Sequence, residues 1–160
     1  MLSILKRKSK KGDFHAYVIG IACPITEVPD EIFSKKLMGD GIAIIAKGSM
    51  LYAPCAGKIT LIAPTKHAIA IQTRDNVQLL LHIGLDSALH DKDSFKVLVS
   101  LDDDVTVNEP LIELSDACLL SEEQLYIPMV IVENPSNKVF HFIDDINIDV
   151  GIESVIGTYE

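Results

Sequence analysis

No apolar run in this 160-residue chain approaches the ~20 residues needed to cross a bilayer as a helix. The opening Met1-Leu2-Ser3-Ile4-Leu5 turns basic too soon to be a secretory signal, so a cytoplasmic location is expected. Cysteine is sparse: Cys23, Cys55 and Cys118 are odd in number, far apart, and form no CxxC pair. That excludes a disulfide framework and a zinc ribbon, and leaves buried, inert thiols as the expectation. Basic side chains are also scarce, 14 against 23 acidic, for a net charge of −9. General nucleic-acid binding is therefore not expected. Five of those bases, Lys6, Arg7, Lys8, Lys10 and Lys11, lie in the first 12 residues with no acid among them, leaving 9 against 23, or −14, for the rest. An acidic body suits a basic protein partner. Residues 1–12 read as a flexible basic tail, with weak contact of residues 1–11 to an anionic membrane as the alternative. No GxGxxG or Walker loop is present, so nucleotide-dependent phosphotransfer has no support, and no HExxH or HxH marks a catalytic zinc. Without tandem repeats, a Gly/Ser linker or long βαβ alternation, residues 13–160 are expected to form a single domain.

What the chain has in quantity is apolar residues, 48% of the total, enough for a real core. They fall in short runs punctuated by Gly, Pro, Asn and Asp. Strands are expected over 14–23, 42–46, 50–53, 58–63, 95–101, 105–107, 111–114, 126–132, 139–143, 146–150 and 154–159. The run 42–46 should be buried on both faces. Helical turns are expected at 29–33 and 119–125, where acids stand near the start. Such a pattern is that of an all-β sandwich or barrel.

The stretch around which the rest is organised is Lys66 to Asp86, KHAIAIQTRDNVQLLLHIGLD. It reads as a β-hairpin with a histidine on each arm and turn chemistry at Thr73-Arg74-Asp75-Asn76. A four-residue loop sets Gln72 opposite Val77 and His67 opposite His82. A two-residue loop sets His67 opposite Gly84, still on the face of His82. A three-residue loop without a bulge separates the two histidines onto opposite faces. Even loops thus bring the imidazoles together, with Cβ atoms roughly 5 Å apart. Two such rings can share a proton, a phosphoryl group or a metal. A neutral imidazole nitrogen is a nucleophile near pH 7. Gly84 would bring backbone close and expose its N–H to phosphoryl oxygens. Thr65, two residues before His67, would hold one nitrogen of that ring and fix its tautomer. As zinc ligands, His67 and His82 make only two. His15, His90 and His141 have no evident link to the pair and read as surface or packing residues.

Several segments in order, VPDEIFSKKLMGDGIAI (28–44), YAPCAGKITLI (52–62), PTKHAIAIQT (64–73) and VQLLLHIGLDS (77–87), resemble the enzyme IIA domain of the glucose class of the bacterial phosphoenolpyruvate-dependent sugar phosphotransferase system. The resemblance implies an antiparallel β-sandwich of many short strands with one or two short helical turns. It implies that His82 accepts a phosphoryl group from the phosphocarrier protein HPr. The group then passes to a cysteine of an enzyme IIB domain, for uptake and phosphorylation of a sugar by the IIB/IIC permease. By the same resemblance His67 assists transfer and Thr65 hydrogen-bonds to it. Backbone near Gly84 and Asp86 holds the phosphohistidine, Asp30 and Asp86 meet arginines of HPr, and Ile32, Phe33 and Met38 belong to the apolar docking face. No cofactor and no metal is required. Association with a membrane would come through the permease.

The chain departs from the family pattern in three places. Residues 23–27 are shorter than the usual run, and Asp91-Lys92-Asp93-Ser94 replaces a glycine-bearing turn. Asp102 and Asn108 stand where turn glycines are common. Asp and Asn tolerate left-handed backbone better than other side chains, so the turns are expected to survive. Two other functions compete with phosphate carriage. One is a regulatory binding module, with metabolic enzymes or permeases as targets, that uses the Asp30–Met38 face and is switched by the phosphorylation state of His82. The other is a metal-dependent hydrolase.

Overall fold

The computed structural model describes residues 12–85, 94–120, 124–145 and 147–160. The tail at 1–11, Asp86 and most of the 91–94 turn lie outside them. Among these residues fourteen short strands and two one-turn α-helices follow in order, with a 3-10 turn at Ile25–Glu27 between β2 and α1. They are β1 (Asp13–His15), β2 (Gly20–Pro24), α1 (Glu31–Ser34), β3 (Gly41–Ala46), β4 (Met50–Tyr52), β5 (Gly57–Ile62), β6 (Ala68–Gln72) and β7 (Gln78–His82), then β8 (Phe95–Val97), β9 (Asp104–Val105), β10 (Pro110–Leu114), α2 (Asp116–Leu120), β11 (Tyr126–Glu133), β12 (Phe140–Phe142), β13 (Ile148–Val150) and β14 (Val155–Tyr159). All pairings are antiparallel.

An eight-stranded sheet runs β13-β2-β3-β11-β7-β6-β5-β9, and two three-stranded sheets run β1-β14-β12 and β4-β10-β8. All three contribute to the main core. Ile42, Ile44, Ile69, Ile71, Leu79 and Leu81 come from the large sheet, and Phe14, Leu51, Leu111 and Ile156 from the small ones. These alternate with residues on the other face of the large sheet, where a second, smaller apolar cluster forms from Cys23, Phe33, Ala43, Ala68, Ala70, Leu80 and Val130. The large sheet is therefore apolar on both sides at its centre. Five of the six residues of β3 are buried, as its unbroken apolar run requires.

Expectation and structure part at several elements. Residues 14–23 form two strands, not one. The His15 N–H bonds Pro54 O and the Ala16 N–H bonds Ser154 O, so the chain leaves the small sheet before entering the large one as β2. The second helix begins earlier than 119, because the Ser115 Oγ accepts the Cys118 N–H at 3.1 Å and caps a helix beginning at Asp116; residues 121–123 of the expected turn lie outside the described residues. The strand expected over 95–101 stops at Val97. Asp102 and Asn108 do take the left-handed backbone that glycine would supply, at φ 71° and 67°. Among the described residues no helix is long and apolar enough to cross a membrane. All three cysteines are buried.

Candidate active site

The hairpin β6–β7 is closed by three residues, Arg74, Asp75 and Asn76. The Thr73 N–H bonds Val77 O at 2.8 Å, and Asn76 turns the chain at φ 63°. The even-loop register is thereby overturned. Ala68, not His67, stands opposite His82, and the Ile83 N–H bonds His67 O at 2.7 Å. Strict alternation would then separate the two histidines. They meet nonetheless, because His67 lies before the first residue of β6, just after a turn in which Lys66 adopts φ 65°. The two rings stand edge to face with centroids 5.0 Å apart and planes at 78°.

Each ring is held at Nδ1. The Thr65 hydroxyl bonds Nδ1 of His67, the contact that its place in the sequence suggests. Nδ1 of His82 lies 2.7 Å from the carbonyl oxygen of Gly84. A carbonyl can only accept, so this nitrogen carries the hydrogen and the lone pair of the neutral ring is on Nε2. Gly84 turns at φ 79°, which aims its carbonyl back at the ring. Its N–H is not exposed as expected: it bonds Tyr126 O at 2.9 Å. Gly84 serves through its oxygen rather than its nitrogen.

Burial lowers the pKa of His82 below the usual imidazole value, while the Gly84 carbonyl and the negative charge of Asp30 act in the opposite direction. Asp30 caps α1, its Oδ1 accepting the Ile32 N–H at 2.9 Å. That cap separates the expected docking residues. Ile32 is 49% exposed, whereas Phe33 is buried at 3% with its ring centroid 5.4 Å from that of His82. Met38 packs half-buried on the smaller apolar cluster, and Leu37 beside it is 70% exposed. Asp86 lies outside the described residues.

Two contributors were not singled out from sequence. Leu37 is one; its neighbour Met38 carried the expectation. Pro128 is the other. Continuing the Met129↔Leu81 pairing by one step sets it beside His82. The Gly84–Tyr126 bond fixes the parity, so the missing N–H of Pro128 is on the side facing β7, at the point where β7 ends. A proline in a central strand is tolerated here for that reason.

Of the other histidines, His15 is buried with Nδ1 donating to Ile152 O, His141 is exposed, and His90 lies outside the described residues. Among the described residues no third His, Cys, Asp or Glu joins the pair to make a metal-binding group. An open groove of about 850 Å³ lies at the other end of the hairpin, with Lys58, Arg74 and Tyr159 in its lining, and includes neither histidine. Both imidazoles of the pair are partly exposed.

Residues 12–138 match the family model for the EIIA 1 component of the phosphoenolpyruvate-dependent sugar phosphotransferase system. The fold is similar to that of the glucose permease IIA from Mycoplasma capricolum, with a TM-score of 0.79 and 29% sequence identity, covering 91% of this chain and 94% of that one.

Proposed function

The chain belongs to this EIIA 1 family, and from that membership we propose that His82 is the residue on which it carries a phosphoryl group. An EIIA component is a phosphotransferase of the sugar-transport system and acts as a phosphocarrier. The observation that carries the assignment to His82 is the 2.7 Å bond from its Nδ1 to the Gly84 carbonyl. It leaves Nε2 as the nucleophile, and burial keeps the ring unprotonated at neutral pH. The donor is phosphorylated HPr. Nε2 attacks phosphorus, the new N–P bond forms as the bond to the donor breaks, and the donor recovers its electron pair. Onward transfer reverses the roles: a cysteine thiolate of a IIB domain attacks, an S–P bond forms, and Nε2 regains its lone pair.

His67 assists by hydrogen bonding. In this reading the Thr65 hydroxyl donates to Nδ1, which puts the hydrogen of His67 on Nε2, ready to donate to a phosphoryl oxygen on His82. Its edge-to-face approach at 5.0 Å suits a group bound on the neighbouring ring. Asp30 is the acid that meets an arginine of HPr, joined by Asp86 on the strength of the family resemblance. Ile32, Leu37 and Met38 give the apolar contact around it.

The test is phosphoryl acceptance from phosphoenolpyruvate with purified enzyme I and HPr. The wild type should incorporate acid-labile phosphate and His82→Ala none. His67→Ala should still accept but pass the group to a IIB domain slowly. Normal acceptance by His82→Ala would move the acceptor elsewhere.

A further inference from the structure

The Gly84 bond fixes one atom of the His82 imidazole, but a ring held at a single atom can still tip about it. A second element is needed to hold its plane. Phe33 is that element. It sits on a helix of one turn whose start is locked by the Asp30 side chain on the Ile32 N–H and by the Phe33 N–H on Asp30 O at 3.1 Å. The residue is 3% exposed, among the same apolar residues, Ala68, Ala70 and Leu80, that share the face of His82. The two ring centroids are 5.4 Å apart with planes tilted at 58°, within the range of specific aromatic contacts. His67 stands against the same imidazole at 5.0 Å. The acceptor ring is thus bounded by Phe33, by His67 and by the Gly84 carbonyl.

We infer that Phe33 is a positioning residue, which holds the plane of the His82 imidazole for phosphoryl transfer and does not act by contacting the partner protein. The inference rests on His82 being the acceptor. A docking residue must reach the partner, and at 3% exposure Phe33 reaches only its own fold, whereas its neighbour Ile32 at 49% is placed to dock. The two residues are adjacent in sequence and opposite in role because one turn of helix points them to different sides.

The experiment compares Phe33→Leu and Phe33→Met with Ile32→Ser, using phosphorylated HPr as substrate and reading kcat and KM separately. A displacement of about 1 Å at a reacting group can cost on the order of 100-fold in rate, so the Phe33 variants should lose about tenfold or more in kcat with KM little changed. Ile32→Ser should raise KM and leave kcat. In parallel, ¹⁵N NMR of the unphosphorylated proteins reads the His82 ring. The wild type should show a single Nδ1–H form, and the Phe33 variants a mixed or broadened one. Phe33→Met keeps most of the side-chain volume and serves if Phe33→Leu does not fold. A rise in KM without loss of kcat would assign Phe33 to docking and overturn the inference. Unchanged kcat with an unchanged ring signal would reduce it to core packing. If the wild type itself took no phosphate on His82, the carrier assignment would fail, while the NMR comparison would still decide whether Phe33 holds the ring.

Discussion

Gly84→Ala separates the fold from the chemistry at a single backbone position. Gly84 holds φ 79°, and an L side chain in left-handed backbone costs roughly 1–2 kcal/mol. In a domain of this size that should lower the melting temperature by about 2–8 °C. The chain can relieve the strain by rotating the peptide that carries the Gly84 oxygen, and this oxygen is what holds the hydrogen on Nδ1 of His82. The net value of such a bond is about 0.5–1.5 kcal/mol, which corresponds to roughly a two- to tenfold loss of the reactive form and of rate. The assay is phosphoryl acceptance from HPr at a temperature where the variant is fully folded, with ¹⁵N chemical shifts of His82 recorded on the same sample. The variant should transfer slowly and show hydrogen shared between Nδ1 and Nε2. A variant that lost stability yet accepted phosphate at the wild-type rate, with Nδ1 still protonated, would refute the claim that this carbonyl prepares the nucleophile.

Four other outcomes are expected. Because the folded pKa of His82 is lowered chiefly by burial, acceptance should be flat from pH 8 to about 6.5 and fall only below that, a step that moving upward with pH would contradict. The unfolded chain protonates this histidine first, so the stability it supports is present above that value and lost as pH falls toward the folded pKa; urea titrations of His82→Gln should show a smaller acid loss than the wild type. Gly41→Ala should unfold the protein or cost at least about 3 kcal/mol in urea, since its Cβ would stand 1.8 Å from Met129 O between β3 and β11, and a neutral result would mean the pairing of those strands is wrong. Burial pushes the Cys23 and Cys55 thiols up to about 11 and about 12, so neither should react with an aromatic disulfide reagent at pH 8 until denaturant is added.

The pairing of His67 with His82 was accessible from sequence by the family motifs, and by spacing only under an assumption about the loop. The assumption failed. A type of turn that needs one left-handed residue was available at Asn76, and three-residue closure shifted the register by one. What rescued the pairing was another left-handed residue, Lys66, beyond the end of the strand, where the rule of alternating faces no longer holds. The second helix starts a few residues before the expected 119 because the hydroxyl of Ser115 makes its cap, while the acids at 122 and 123 mark a later start in the sequence. The split of residues 14–23 was hidden because nearly all of the run is buried, Ile19 in the connection being the exposed exception, and periodicity does not mark a change of sheet.

The sequence by itself determined the composition of the core, the many short strands, the two imidazoles with Thr65 beside one of them, and the acidic net charge. These are local or cumulative properties, written in residue type and order. The tertiary structure alone decided which nitrogen of His82 keeps the lone pair, that Gly84 meets the ring through its carbonyl, and that Phe33 packs against the ring while Ile32 faces outward. Those outcomes depend on the direction of single hydrogen bonds and on the side of a helical turn, and both are set by packing between segments far apart in the chain.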